Sequence, residues 1–335
     1  MASSIAVVSL IYADQLNKKR VMSETYGGAG WHLSLADQKK MAEIQIALGV
    51  NYFVPHLLLY SLLGERKRDH PPSIYYQQPY WDQYRMVNDY ITRLSAALAQ
   101  GKREVNILMI HPMETAWLEY KPHDWTVINK RNAEFQDILE FLLHNQKDLH
   151  LGDETLLSKF GKVENNKLVI GDCAYDFVIL PQLETIRQST FNLLRDFSIS
   201  GGKIYSIDDF PGMIDCSKSK EEPINFVKFT KQDFCDKVHE LLPQPIFLNG
   251  INTDKILSHI RKYNSKEMLY VINCGENVAR GALEYKTSNK LVEVWNPVDG
   301  KKSKLAYQYT GEKIIIPFQL YPGESRFFIT QDDNL

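Results

Sequence analysis

A single glutamate, Glu24, is the residue of this sequence best placed for acid–base chemistry. It ends the short apolar segment Arg20-Val-Met-Ser-Glu24, and the loop Thr25-Tyr-Gly-Gly-Ala-Gly-Trp31 follows directly. Barrel enzymes place catalytic acids and bases in this way, at the carboxyl end of a strand with a loop behind it. The alternative is a structural glutamate that caps a helix or pairs with an arginine.

The residues around Glu24 indicate which chemistry it would serve. The glycines let a ligand approach the backbone closely, and Trp31 offers a flat apolar face that suits a sugar ring. Cleavage of a glycosidic bond usually needs two carboxyl groups. No second strand-end carboxylate stands out in residues 1–100, because Glu65 and Asp69 both lie in a loop. The sequence therefore predicts one member of a catalytic pair.

A histidine, His56, ends the next strand-like segment, Val50–His56, which we expect to be a buried strand. It follows Glu24 by roughly 30 residues, a suitable repeat for one β-α unit in a barrel of about 250 residues. Both side chains would then lie at the same rim. His56 is a candidate for binding a sugar hydroxyl, with a purely structural role as the alternative.

An aromatic loop follows His56, and two of its residues, Tyr60 and Trp81, are further candidates for substrate binding. The loop would form one wall of a cleft. Its aromatic residues are equally consistent with packing between domains; they are Tyr75, Tyr76, Tyr80, Trp81 and Tyr84.

The helices that position these residues have clear sequence signals. Residues 3–16 are expected to form a helix. Ser34, with Asp37 three residues later, predicts the start of a helix over 35–48, which Gly49 ends. A second amphipathic helix is expected over 81–100. Residues 1–102 therefore read as two consecutive β-α units.

Residues 103–250 are expected to form a second α/β domain with an open parallel sheet. Predicted strands cover 104–111, 175–181 and 201–207, and predicted helices cover 128–145 and 186–199. The segment Tyr175–Pro181 leads into Gln182 rather than into a nucleophile turn, so we expect this domain to be non-catalytic. Residues 251–335 carry short strands separated by turns and predict an antiparallel β-sandwich.

Composition excludes several classes of partner. The net charge of the chain is −2, with no long basic stretch, so nucleic acid is not an expected partner. No apolar run reaches the ~20 residues of a membrane span, and we expect neither a membrane partner nor a signal peptide on this chain. The four cysteines lack metal-ligand spacing, so no zinc site is expected.

Three stretches together resemble bacterial α-L-rhamnosidases of glycoside hydrolase family 106. They are Ser23–Trp31, Gly49–His56, and Pro71-Pro-Ser73 with Pro79-Tyr-Trp81. The later stretches Ile110–Met113, Leu151–Glu154 and Tyr175–Pro181 are similar to the flavodoxin-like domain, of the class I amidotransferase type, that follows the barrel in that family and in related β-galactosidase-like enzymes.

The resemblance implies a fold and an activity. The fold would be the C-terminal portion of a (β/α)8 barrel, then a flavodoxin-like α/β domain, then a β-sandwich. The activity would be inverting hydrolysis of α-L-rhamnosides or related deoxysugar linkages, with Glu24 as the general base and a carbohydrate as the substrate. The resemblance also implies calcium near the active site, although no cofactor or calcium ligand is assignable on this chain, and a parent enzyme that is periplasmic or secreted.

This chain departs from the family in that most of the barrel would lie upstream of Glu24. We therefore expect low activity for the chain alone, and either self-association or dependence on the missing N-terminal portion of the barrel. Two alternatives remain open. One is a non-catalytic carbohydrate-binding or assembly module, and the other is a retaining β-galactosidase-like hydrolase with Glu24 as nucleophile.

Overall fold

The computed structural model describes residues 13–68, 70–220 and 224–332. Most of the helix expected over 3–16, and the loop carboxylate Asp69, lie outside the described residues. Contacts between Cα atoms divide the chain into two compact units. Unit 1 contains Lys18–Arg103 and the described residues from Ile246 onward, and unit 2 contains Asp14–Asn17 and the described residues of Glu104–Pro245.

Unit 1 begins with the two β-α units that the sequence predicts, and β1 and β2 are parallel with Glu24 in register with Val54. Short 3-10 turns lie at Gly64–Arg68 and Trp81–Gln83. The helices and strands of this part are β1 (Met22–Thr25), α1 (Leu35–Ala47), β2 (Tyr52–Pro55), α2 (Tyr84–Leu98) and β3 (Lys102–Arg103).

The start of α1 follows its sequence signal closely. The Ser34 side chain accepts a hydrogen bond from the backbone N–H of Asp37 at 3.1 Å. The Asp37 carboxylate in turn accepts one from the backbone N–H of Ser34 at 3.4 Å. This reciprocal capping box satisfies two backbone donors that the first helical turn leaves unpaired. The capping box confirms the predicted N-terminus of α1. The sequence could predict it because the signal involves only neighbouring residues.

The prediction that β2 is buried is wrong. Tyr52 is 52% exposed and Val54 is 37% exposed. On the other face of the pair, Gln45 of α1 donates a hydrogen bond to Thr25 Oγ1 at 3.0 Å. Strands in parallel sheets are normally covered on both faces. Among the described residues β1 and β2 pair only with each other, and no closed barrel forms.

Unit 2 contains a parallel sheet with the strand order β14-β11-β9-β4-β5. All four residues of β4 are buried, as the apolar run 104–111 predicts for a covered strand. The helices and strands of this unit are β4 (Ile107–Ile110), α3 (Met113–Glu119), α4 (Thr126–His144), β5 (His150–Gly152), α5 (Glu154–Phe160), β6 (Gly161–Glu164), β7 (Lys167–Ile170), β8 (Cys173–Tyr175), β9 (Phe177–Leu180), β10 (Thr185–Ile186), α6 (Gln188–Ile199), β11 (Lys203–Ile207), β12 (Met213–Ile214), β13 (Ser217–Lys218), β14 (Val227–Phe229) and α7 (Lys231–Leu241).

The last part of the chain returns to unit 1 as two antiparallel sheets that share one hydrophobic core. The sheet orders are β15-β18-β22-β21 and β20-β19-β23-β17-β16-β3. The strands are β15 (Ile246–Ile251), β16 (Ile256–Tyr263), β17 (Lys266–Asn273), β18 (Ala279–Lys286), β19 (Leu291–Trp295), β20 (Lys302–Lys304), β21 (Gln308–Tyr309), β22 (Lys313–Leu320) and β23 (Ser325–Gln331). The division into three domains with boundaries near 102 and 250 stays a prediction.

A buried carboxylate, Glu43 on α1, joins the β-α part of unit 1 to its antiparallel sheets. The Tyr270 hydroxyl donates to Glu43 at 2.6 Å, the Ser325 hydroxyl donates at 3.0 Å, and Lys39 forms an ion pair at 2.9 Å. The Glu43 side chain is fully buried. Burial raises the pKa of Glu43, and Lys39 and the two hydroxyl donors act in the opposite direction. These donors replace the water that the carboxylate loses on folding.

Replacing Tyr270 by phenylalanine should destabilise unit 1, because the buried carboxylate of Glu43 then loses one of its donors. Hydrogen bonds to charged groups contribute about 1.5–3 kcal/mol, and we expect a loss in that range in urea unfolding followed by circular dichroism. The control is Tyr263→Phe, since Tyr263 on the neighbouring strand is 40% exposed. Equal stability of the two variants would contradict the bridging role of Glu43.

Candidate functional site

The candidate catalytic residue Glu24 lies one residue before the end of β1, on the exposed face of the β1–β2 pair. In the described parts of the chain, no hydrogen bond or ion pair involves its carboxylate. A capping or arginine-paired glutamate would have shown such a contact. The position is that of a carboxylate at the carboxyl end of a parallel strand, open to a ligand.

The loop after Glu24 and the histidine after β2 lie together. The backbone N–H of His56 donates to Thr25 O at 2.8 Å. A Cβ added to Gly27 would lie 3.3 Å from His56 Cγ, so the glycine permits this approach. The rings of His56 and His70 meet edge to face, with centroids 5.9 Å apart. The structure therefore brings Glu24 and His56 to the same end of neighbouring strands, as the sequence predicts.

The two other loop candidates differ in how they are held. The Trp31 indole N–H donates to Lys67 O at 2.8 Å, and Gln78 donates its side-chain amide to Trp31 O at 3.2 Å. Trp31 is thus anchored at both its ring and its backbone. Tyr60 is 95% exposed, and its backbone carbonyl accepts a hydrogen bond from the Tyr76 hydroxyl at 3.4 Å.

Trp81 lies at the start of the 3-10 turn that precedes α2. Its ring stacks on Tyr84, with centroids 5.7 Å apart. It lines a cavity of about 660 Å³ together with Tyr52, Phe53 and Pro55 of β2. Glu24 and His56 are not among the residues that line this cavity, so its geometry does not join Trp81 to the Glu24 carboxylate.

The remaining aromatic residues divide between core and surface. Tyr80 and Tyr84 pack with Tyr26 and Ile74 in a small core beneath the loop, and burial raises the pKa of Tyr84 to about 12. Tyr76 stays exposed. The sequence alone left packing and substrate contact open for this group, and the structure assigns packing to its inner members.

Within the described ranges, no group of three or more histidine, cysteine, aspartate or glutamate side chains is arranged to hold a metal ion. The calcium expected from the family resemblance stays a prediction. None of the described helices is long and apolar enough to cross a membrane.

Sequence reasoning missed a pair of carboxyl groups in unit 2. Glu154 follows β5, is buried, and accepts a hydrogen bond from the backbone N–H of Arg187 at 2.7 Å. Glu114 follows β4 and accepts from Arg187 Nε at 2.7 Å. Burial, with the nearby Glu114 carboxylate as a smaller cause, raises the pKa of Glu154 to about 7. The available signal was two glutamates that each closely follow a strand of one parallel sheet.

The raised pKa of Glu154 predicts that unit 2 is less stable at pH 8 than at pH 6. A carboxyl group whose pKa rises on folding favours the folded state at low pH, and this contribution is lost as the pH rises through about 7. Hydrogen exchange in peptides covering 150–190 should be faster at pH 8 than at pH 6, after correction for intrinsic exchange rates. Glu154→Gln should remove this pH dependence, whereas the exposed Glu140→Gln should retain it. An unchanged dependence in Glu154→Gln would contradict the assignment.

No protein-family profile and no curated protein matches this sequence. Solved structures do share its fold. A rhamnosidase from Novosphingobium sp. PP1Y superposes with a TM-score of 0.72 at 15% identity, covering 99% of this chain and 32% of that one. A catalytic mutant of a GH42 β-galactosidase from G. stearothermophilus gives 0.65 at 11% identity, covering 97% of this chain and 56% of that one. An α-L-fucosidase from Paenibacillus thiaminolyticus gives 0.57 at 9% identity, covering 97% and 63%.

These similarities establish a mixed α/β fold shared with glycoside hydrolases. Identities of 15% and below show the fold alone. The chain spans about a third of the rhamnosidase and just over half of the β-galactosidase that it matches.

Proposed function

We propose that this chain corresponds to the C-terminal part of a glycoside hydrolase of the family 106 α-L-rhamnosidase type. In this proposal β1, α1, β2 and α2 are the last two β-α units of a (β/α)8 barrel, and the antiparallel sheets are the β-sandwich. The sheet order of unit 2 is that of flavodoxin-like domains. The observation that carries the proposal is the Glu24 carboxylate, which has no partner in the described structure and lies at the carboxyl end of a parallel strand.

In the proposed mechanism Glu24 acts as the general base. It takes a proton from a water molecule that attacks the anomeric carbon, while a carboxylic acid on the opposite side protonates the leaving oxygen. His56, at the same end of the strand pair, hydrogen-bonds a sugar hydroxyl. An inverting pair needs its carboxyl groups about 6.5–9.5 Å apart. The other side chains on the open face of the pair are apolar (Met22, Tyr52 and Val54), so the acid comes from strands that complete the barrel.

Activity measurements on the purified chain test this mechanism. General acid or base assistance is worth about 10²–10⁴-fold, so with one carboxylate we expect turnover of an aryl α-L-rhamnoside to be lower by roughly that factor than with an intact pair. Residual turnover should fall further in Glu24→Gln and persist in Glu65→Gln, whose carboxylate is exposed in the loop. Robust hydrolysis by the chain alone, abolished by Glu24→Gln, would show that both carboxylates are present.

The retaining alternative is favoured by the fold match to a GH42 β-galactosidase. Glu24 would then be the nucleophile, and a fluorinated glycoside should leave a covalent sugar on Glu24 that mass spectrometry detects. The carbohydrate-binding alternative is favoured by the nearly full exposure of Tyr60. In that case calorimetry with rhamnose should show binding that survives Glu24→Gln but is lost in Trp31→Ala or Tyr60→Ala.

The uncovered strand pair also predicts how the chain behaves in solution. Strands with unpaired edges and exposed apolar side chains favour association, and here Tyr52 and Val54 are exposed on the strand pair. We expect concentration-dependent self-association in sedimentation velocity, together with binding of a hydrophobic dye. Val54→Lys should weaken both, whereas Val298→Lys on an exposed turn should not. A clean monomer without dye binding would count against an incomplete barrel.

A further inference from the structure

The parallel sheet of unit 2 has a crevice where ligands bind in open α/β sheets. From β4 the chain passes to β5 on one side, and it later returns to β9 on the other side of β4. The connections after neighbouring strands then leave the sheet in opposite directions. A crevice forms outside the carboxyl ends of the strands at such a reversal.

A cavity of about 140 Å³ lies at this point. Pro112 and Pro181, which follow β4 and β9, form part of its wall, and Arg131 and Phe135 of α4 form another part. The volume is that of about five water molecules, which is enough for part of one sugar ring.

Four polar side chains line the cavity, Arg131, Glu134, Gln182 and Lys231, and each has a neighbouring polar partner. Arg131 forms a two-pronged ion pair with Glu119, contacts Glu184 at 3.1 Å, and donates to the backbone carbonyl of Gln182 at 3.4 Å. The Gln182 side-chain amide donates to the carboxylate of Asp208. The site thus presents planar carboxylate, guanidinium and amide groups whose remaining lone pairs and N–H groups suit hydroxyl partners.

Three exposed aromatic residues, which we call the aromatic shelf, lie on α3 and on the turn between α3 and α4. They are Trp117 (63% exposed), Tyr120 (45%) and Trp125 (55%). The rings of Tyr120 and Trp125 meet edge to face at 5.4 Å. A bridge between Lys121 and Asp124 holds the turn that joins them. Tyr120 directly follows Glu119, whose carboxylate binds the cavity-lining Arg131, and this contact ties the shelf to the cavity.

The chemistry of the site distinguishes between classes of ligand. Two cations, Arg131 and Lys231, line the cavity, but both already pair with carboxylates, Arg131 with Glu119 and Glu184 and Lys231 with Asp137. The cavity therefore has little positive charge left to attract a phosphate or another anion. In the described ranges no cluster of metal ligands lies here. A neutral polyhydroxylated molecule suits both the aromatic shelf and the cavity. Its C–H face stacks on Trp or Tyr rings, and its hydroxyls hydrogen-bond the planar polar groups.

We propose that the cavity and the aromatic shelf of unit 2 form a carbohydrate-binding site that is separate from Glu24. The site holds a sugar unit without cleaving it. The proposal takes only its choice of sugar probes from the proposed function, and it does not require Glu24 to be catalytic.

Titration of the full chain with L-rhamnose, L-fucose and D-galactose, followed by calorimetry and tryptophan fluorescence, tests the proposal. We expect saturable binding of at least one sugar. Affinity should fall about tenfold or more in Trp117→Ala and Trp125→Ala, as for aromatic anchors in other binding sites, and it should also fall in Gln182→Ala. The matched control is Tyr321→Ala, since Tyr321 is 57% exposed in unit 1. Binding should persist in Glu24→Gln, and this separates the site from any failure of the proposed catalytic function.

Two results would overturn the proposal. The first is the absence of saturable binding of all three sugars, or binding that Trp117→Ala and Trp125→Ala leave unchanged while their circular dichroism matches that of the unmodified chain. The second is loss of self-association in the tryptophan variants without any sugar binding, which would make the aromatic shelf an interface between copies of the chain.

Discussion

The parallel pairing of β1 with β2 is the constraint on which the site in unit 1 depends. It sets Glu24 beside Val54, and it brings the loop after Glu24 against His56. Parallel sheets are normally covered by helices on both faces. Here the face that carries Glu24 is exposed, and the apolar side chains of Tyr52 and Val54 lie on it beside the candidate carboxylate. The same arrangement therefore leaves the Glu24 carboxylate open to a ligand.

The strand pair has few neighbours of its own, so its position rests on contacts with the antiparallel sheets of unit 1. One contact is the buried Glu43 carboxylate, which accepts hydrogen bonds from Tyr270 and Ser325. Another is the pairing of β3 with β16. Burying a carboxylate is costly unless hydrogen-bond donors surround it. Because these donors come from strands far away in the sequence, the contact forms only when the whole unit folds.

Unit 2 differs from unit 1 in how its candidate polar groups are positioned. Its parallel sheet has a covered central strand and polar groups gathered at the carboxyl ends of its strands. The Glu114–Glu154–Arg187 cluster and the cavity beside Arg131 are both products of this arrangement. Each strand end contributes one or two side chains, and the reversal of strand order brings them together. A domain without a nucleophile turn thus still presents organised polar chemistry.

The sequence by itself determined the local features. Ser34 and Asp37 set the start of α1 because a capping box involves only four consecutive residues. The apolar run in β4 predicted a covered strand, and Glu24 and His56 were correctly placed at neighbouring strand ends. Only the tertiary structure decided that β2 is exposed, that Trp81 stacks on Tyr84 beside a cavity, and that Glu43 and Glu154 are buried among polar partners. The reason is physical: burial and ion pairing depend on which distant strands come together, and neither apolar periodicity nor residue spacing records that pairing.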